Sequence, residues 1–289
     1  MDNWGQWGST DERGAANLID ERAVERGLRA VTQMQAIGLG APIVSNRGPG
    51  VVGRPAPQHF MLRDGGDYAA GLEERAGFGF ADDYLSLPTH AVSHIDALAH
   101  VWQNGTMYNG FSADTVTSRG AARCGIDKAG PIVTRGVIAD LVPAGKDWLP
   151  SDHVIDAASL ERELGRGEVT LEPGDALLVR TGWMQAWMAG EADATAWPGL
   201  GADCSELLVE RQVALIGADN LGVEAFPSTD EGCQIPLHVA LIRGYGVYFC
   251  ELLDLAALAA TGQSSFLLVV SPLAIRGGVG SPVAPVAII

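Results

Sequence analysis

Four side chains of the kind that bind metals crowd into one short stretch of this chain, as His90-x3-His94-x-Asp96-x3-His100. Three of the six histidines in 289 residues fall there. Imidazole and carboxylate together form the ligand set of a borderline divalent cation such as Zn²⁺ or Mn²⁺. The spacing limits how the backbone can run. On one helix each residue turns by about 100°, so His90 and His94 would share a face and Asp96 would point away. On one strand all four would share a face, but at roughly 3.3 Å per residue the ends would be too far apart for one ion. The simplest solution is a break. An extended or turning segment carries His90 and His94, and a helix starting near Asp96 presents His100 one turn on.

Composition bounds the rest. With 47% hydrophobic residues the chain can bury a large core. A net charge of −16 argues against nucleic acid and against an anionic membrane surface. Cys124, Cys204, Cys233 and Cys250 are widely spaced, which predicts reduced thiols in a cytoplasmic protein. The start, Met-Asp-Asn-Trp-Gly, has neither the basic nor the apolar region of a signal peptide. No apolar run reaches the roughly 18 residues of a membrane span.

Along the chain, residues 1–17 are expected as an N-terminal arm, and Ile19–Gln35 as a helix capped by Asp20. A short strand is expected at Ala41–Ser45, then a long glycine-rich irregular region at 46–82 in which His59 reads as a surface residue ahead of a site residue. Residues 131–141 read as a strand with a bulge at Gly136. Asp156 caps a helix to about Arg166, and Glu172-Pro-Gly-Asp175 turns into a strand at Ala176–Arg180. A short helix over 182–189 and a buried strand at Val213–Ala218 follow. That strand ends in Asp219-Asn220, with Glu224 close by, and these three residues either face a crevice or cap the loop. Then come a helix at Gln234–Gly244 with His238, a strand at Val247–Leu253 with Glu251, a helix at Leu255–Ala260 and a strand at Ser265–Ser271. The apolar end packs back on the core. The alternation predicts one α/β domain over residues 1–289.

The cluster resembles the signature of the putative cyclase family, which includes bacterial kynurenine formamidase and isatin hydrolase. There it reads His-x-Gly-Thr-His-x-Asp-x-x-x-His. This chain has Ala91-Val92-Ser93 between the first two histidines, and Val92 replaces a small or hydroxylated residue. The likeness runs from the Trp-Gly-rich start to the Gly-Gly-Val-Gly-Ser-Pro ending. It implies a mixed, barrel-like sheet flanked by helices, a swivelling-domain-like α/β fold, assembled as a homodimer or higher oligomer. It implies one or two Zn or Mn ions held by His90, His94 and Asp96, with His238 and Glu251 as the remote ligands. Glu251 is chosen over Asp254, which reads as a helix cap; the loop Arg243-Gly-Tyr-Gly246 is one residue longer than in the formamidases. An isolated buried carboxylate in Val-Tyr-Phe-Cys-Glu251-Leu-Leu would itself cost several kcal/mol.

The expected activity is hydrolysis of an amide, lactam or related carbonyl C–N bond of a small cyclic or aromatic substrate. A bound cation lowers the pKa of its water and polarises the carbonyl. His100 is the general base and acid, or a ligand of the second ion. Trp4, Trp7 and Val92 are candidate substrate contacts. The alternative on the same site is a cyclase or dehydratase, and a third possibility is a non-catalytic binder. No Gly-x-Ser-x-Gly elbow or Walker A sequence supports a serine hydrolase or a nucleotide enzyme.

Overall fold

A computed structural model describes residues 2–49, 53–72, 77–192, 194–230 and 232–289. Nine strands form one curled, half-barrel sheet. They are β1 (Ala36–Gly38), β2 (His94–Asp96), β3 (Ile132–Asp140), β4 (Ala176–Arg180), β5 (Leu215–Ala218), β6 (Tyr248–Glu251), β7 (Ser265–Val270), β8 (Gly280–Pro282) and β9 (Val286–Ile288). Their order is β1-β9-β7-β3-β4-β5-β6-β2-β8. The centre, β3-β4-β5-β6, is parallel, and every pairing outside it is antiparallel. This is the mixed α/β architecture expected.

The parallel strands β4 to β6 are nearly continuous apolar runs, as strands covered on both faces must be, and they are buried almost throughout. Gly136 of β3 is not a bulge. The pairing runs unbroken through it, opposite Phe266 on one side and Ala176 on the other. The residue is glycine because a Cβ there would meet the Phe266 ring at 2.2 Å.

Helix α1 (Glu21–Arg29) begins where expected, with the Asp20 carboxylate accepting from Ala23 N–H. It ends earlier than expected. After Arg29 the chain is drawn to the C-terminus, where Gln33 and Gln35 both donate to the Ile289 carbonyl. That pairing puts the first strand at Ala36–Gly38, ahead of the expected Ala41–Ser45. Gly27 lets the helix lie against β3 and β7, since a Cβ would meet Leu267 at 2.7 Å. Arg26 and Arg135 converge on the fully buried Asp175, pinning helix to sheet. Helices α2 (Ala157–Arg166, capped by Asp156) and α3 (Trp183–Ala189) match their expected positions.

Two segments differ from expectation. The described residues of 58–86, which lie largely in the stretch expected to be irregular, are not all irregular. They contain an antiparallel ribbon of Gln58–Arg63 and Asp82–Ser86, with a one-turn helix at Gly65–Ala69. The C-terminal tail supplies two strands, β8 and β9, that complete the sheet. Among the described residues no helix is long and apolar enough to cross a membrane.

Candidate metal centre

The cluster forms where β6, β2 and β8 lie side by side. His94 and Asp96 are two apart on β2, so both side chains leave the same face of the strand. Glu251 is the cross-strand partner of His94, and Gly280 is the partner of Asp96. His90 arrives from the turn before β2. No helix begins at Asp96. The chain instead stays in the sheet, with Ala97 N–H donating to Val279, then turns so that His100 N–H donates to Ala97. This turn brings the His100 ring onto His90, stacked at 4.2 Å between centroids.

His238 comes from the opposite side, on a helix whose residues His238–Tyr245 are wound as π-helix. Single π turns are frequent at functional sites. The helix starts at Pro236, later than expected, because the Glu224 carboxylate sets its start. One Glu224 oxygen accepts from Leu237 N–H at 2.9 Å, and the other from His238 N–H at 3.0 Å and from the His238 ring at Nδ1. The remaining rings are fixed in the same way. His94 Nδ1 donates to the Val92 carbonyl at 2.8 Å, and His90 Nδ1 lies 3.0 Å from Thr89 Oγ1.

With Nδ1 engaged, each Nε2 faces the middle. His90 and His94 Nε2 lie 3.3 and 3.4 Å from Asp96 Oδ1. His94 Nε2 is 3.2 Å from Glu251 Oε2, and His238 Nε2 is 3.3 Å from Glu251 Oε1. All five residues are buried. His90 Nε2, His94 Nε2, both Asp96 oxygens and Glu251 Oε1 make no hydrogen bond within the protein. Buried polar atoms are normally satisfied, so five orphans in one place call for an explanation. A divalent cation supplies it. Two groups have the right reach, His90-Asp96-His100 and His94-Asp96-Glu251, and they share Asp96. The donors are nitrogen and carboxylate oxygen, as Zn²⁺ or Mn²⁺ requires.

The electrostatics also favour a cation. Burial works against a charged His94, but Asp96 and Glu251 more than reverse this and raise its pKa to about 9. Burial likewise opposes the charging of His238, and Glu224 and Glu251 hold its pKa well above the ordinary value. Burial raises the Asp96 pKa, but the surrounding imidazoles outweigh it and hold the carboxyl well below its usual range. His100 behaves oppositely. Burial dominates and pulls it down to about 4, so at neutral pH it is an uncharged base.

Not every candidate reaches the cluster. Trp4 donates through its indole N–H to the Arg243 carbonyl and lies under the Arg243 guanidinium, at the other end of the helix from His238. Trp7 lines a hollow with Leu18, Val213 and Val247, beside the ends of β5 and β6 that lie away from Glu251. The arm is ordered because Asp11, Glu12 and Arg13 are bonded into the body, for instance Tyr108 Oη to Asp11. Val92 presents its carbonyl to His94 and lines a small, mainly apolar cleft with Pro42, Met184, Trp187 and Leu252. Asp219 and Asn220 are structural. Asp219 accepts from Thr181 and Gly182 ahead of α3, and Asn220 accepts from Val223 N–H. His59 is on the surface, 2.8 Å from Asp83. Sequence reading missed Gly280, where a Cβ would meet His90 Nε2 at 2.4 Å. Only the glycine-rich Gly277-Gly-Val-Gly280 run hinted at a close approach.

A family model described as Putative cyclase matches residues 31–225, which include His90 to His100 and Glu224. Isatin hydrolase of Roseibium aggregatum is 26% identical over 219 residues, covering 73% of this chain and 75% of that protein. A crystal structure of a novel cyclase superposes with a TM-score of 0.91 and 34% identity over 100% of both chains. Isatin hydrolase A from Labrenzia aggregata, bound to benzyl benzoate, superposes with a TM-score of 0.66 and 18% identity, covering 92% and 97% of the two chains.

Proposed function

The chain belongs to the putative cyclase family, and from that premise we propose that it is a metal-dependent hydrolase of a carbonyl C–N bond in a small cyclic or aromatic substrate. The observation that carries this reading is the convergence of five orphaned donor and acceptor atoms in one buried place. His94, Asp96 and Glu251 would hold one ion, with His238 beside Glu251; His90 and His100, with Asp96 common to both groups, would hold a second or flank water beside the first. A divalent cation bound there would activate water and polarise a carbonyl.

The protein's own groups do the rest. Asp96 and Glu251 place two negative charges in a dry site and so favour positive charge between them. Glu224 fixes which nitrogen of His238 faces inward. His100 is partly exposed, uncharged at neutral pH and stacked on His90, so its free nitrogen can take a proton from water and return it to a leaving nitrogen.

A second reading, ring closure or dehydration at the same site, is favoured by one observation: the relative that is 34% identical over its whole length is described as a novel cyclase. Turnover of formamides, isatin-like lactams and cyclic imides in ¹⁸O-labelled water separates the two. Hydrolysis places one labelled oxygen in the product, and His100→Ala abolishes that incorporation. Turnover with unlabelled product would reject hydrolysis in favour of the lyase.

A further inference from the structure

Two buried apolar residues hold left-handed backbone, and each is the chain neighbour of a carboxylate of the centre. Val223 (φ +60°) precedes Glu224, and Leu252 (φ +57°) follows Glu251. Side chains resist that conformation, and β-branched ones resist it most. Among the described residues Val223 is the one β-branched residue that adopts it. Such positions persist only where the surroundings over-determine them, and they gather at functional sites. The surroundings here converge on Asn220, which is fully buried just past the end of β5. Its Oδ1 accepts from Val223 N–H at 2.7 Å and from Gly222 N–H at 3.3 Å. Its Nδ2 donates to the Pro198 carbonyl at 2.6 Å and the Val223 carbonyl at 3.3 Å. Its main-chain carbonyl accepts from Leu252 N–H at 3.0 Å.

We infer that Asn220 is a positioning residue of the centre, a role that rests on reading the cluster as a metal site. Asn220 is hydrogen-bonded to none of the ligands. With its side-chain amide it grips the turn into Glu224, and with its backbone it grips the turn out of Glu251. It has a firm base, because Asp219 before it accepts from Thr181 and Gly182. Each turn has one further hold: Leu200 N–H donates to the Val223 carbonyl at 3.0 Å, and Ser93 Oγ donates to the Leu252 carbonyl at 2.6 Å. Without the Asn220 amide, Val223 is free to relax toward ordinary backbone. That rotation swings Glu224, whose carboxylate receives Leu237 N–H, His238 N–H and the His238 ring. The side chain of Asn220 thus acts on the metal through Glu224 and then His238.

Chelator competition for zinc or manganese on the full chain tests this. Asn220→Ala keeps the main-chain carbonyl that holds Leu252 and removes the amide that holds Val223. It should weaken the metal by about 10-fold. Combined with Glu224→Gln it should weaken the metal no further than Glu224→Gln alone, because both act along one path. Adding Val223→Gly to Asn220→Ala should restore most of the lost affinity, since glycine takes left-handed backbone without penalty. Native-state hydrogen exchange of the metal-free wild type needs no variant to fold. The Val223 amide, bound to Asn220, and the Leu237 and His238 amides, bound to Glu224, should exchange through one common opening as denaturant is raised. Wild-type affinity in a folded Asn220→Ala, effects that add with Glu224→Gln, or no rescue by Val223→Gly would each overturn the inference. Openings of the Val223 and His238 amides that are independent of each other would overturn it as well. A wild type that binds no metal would instead remove the metal reading, and the exchange measurement would still decide whether Asn220 holds Glu224 in place.

Discussion

At the scale of single residues, the centre depends on how each imidazole is aimed. Three rings are held through Nδ1 by partners of different chemistry: the Val92 carbonyl, the Thr89 hydroxyl and the Glu224 carboxylate. Glu224 has the largest task, because it also starts the helix that carries His238. Glu224→Gln leaves one oxygen to serve three donors and turns an NH₂ toward another. The expected result is a 10- to 100-fold (on the order of) weaker hold on the metal in a chelator competition, with the fold retained. Unchanged affinity would mean that His238 needs no orienting partner. The ligand-type residues were legible in the sequence because chemistry restricts them: few contexts place three histidines and an aspartate so close, or a glutamate in an apolar run. Glu224 was noticed without a role. Its partner is fourteen positions away and is reached through a loop whose path the sequence does not encode in any short pattern.

At the scale of elements, the site is a property of strand neighbours. β2 contributes two ligands from one face, β6 sets Glu251 opposite His94, and β8 sets a glycine opposite Asp96. Gly280 therefore makes room for His90. Gly280→Ala should displace the ring, lower the metal content well below that of the wild type and destabilise the fold by about 1–3 kcal/mol as an overpacked site. A variant with full metal content and an unchanged thermal midpoint would show that His90 is not seated there. The long apolar strands and the Asp-capped helices were legible because a local pattern specifies them. The short outer strands were not. Ala36–Gly38, Gly280–Pro282 and Val286–Ile288 are three residues each and owe their conformation to partners far away in sequence. The expected helix after Asp96 failed for the same reason: the Val279 carbonyl claims Ala97 N–H and keeps the chain in the sheet.

At the scale of the molecule, a curled sheet with a parallel centre buries a charged cluster at one place where β6 meets the antiparallel strands. Burying Asp96 and Glu251 there without counter-charge would oppose folding, since isolated carboxylates in a dry interior cost several kcal/mol each. The fold is thus expected to be strongest with its cation in place. The most direct measurement is metal content per chain by inductively coupled plasma mass spectrometry, on protein purified without a chelator or a histidine tag. The account predicts one or two equivalents of zinc or manganese, largely lost in His94→Ala. Protein that carries none, and takes up neither metal on incubation, would contradict it.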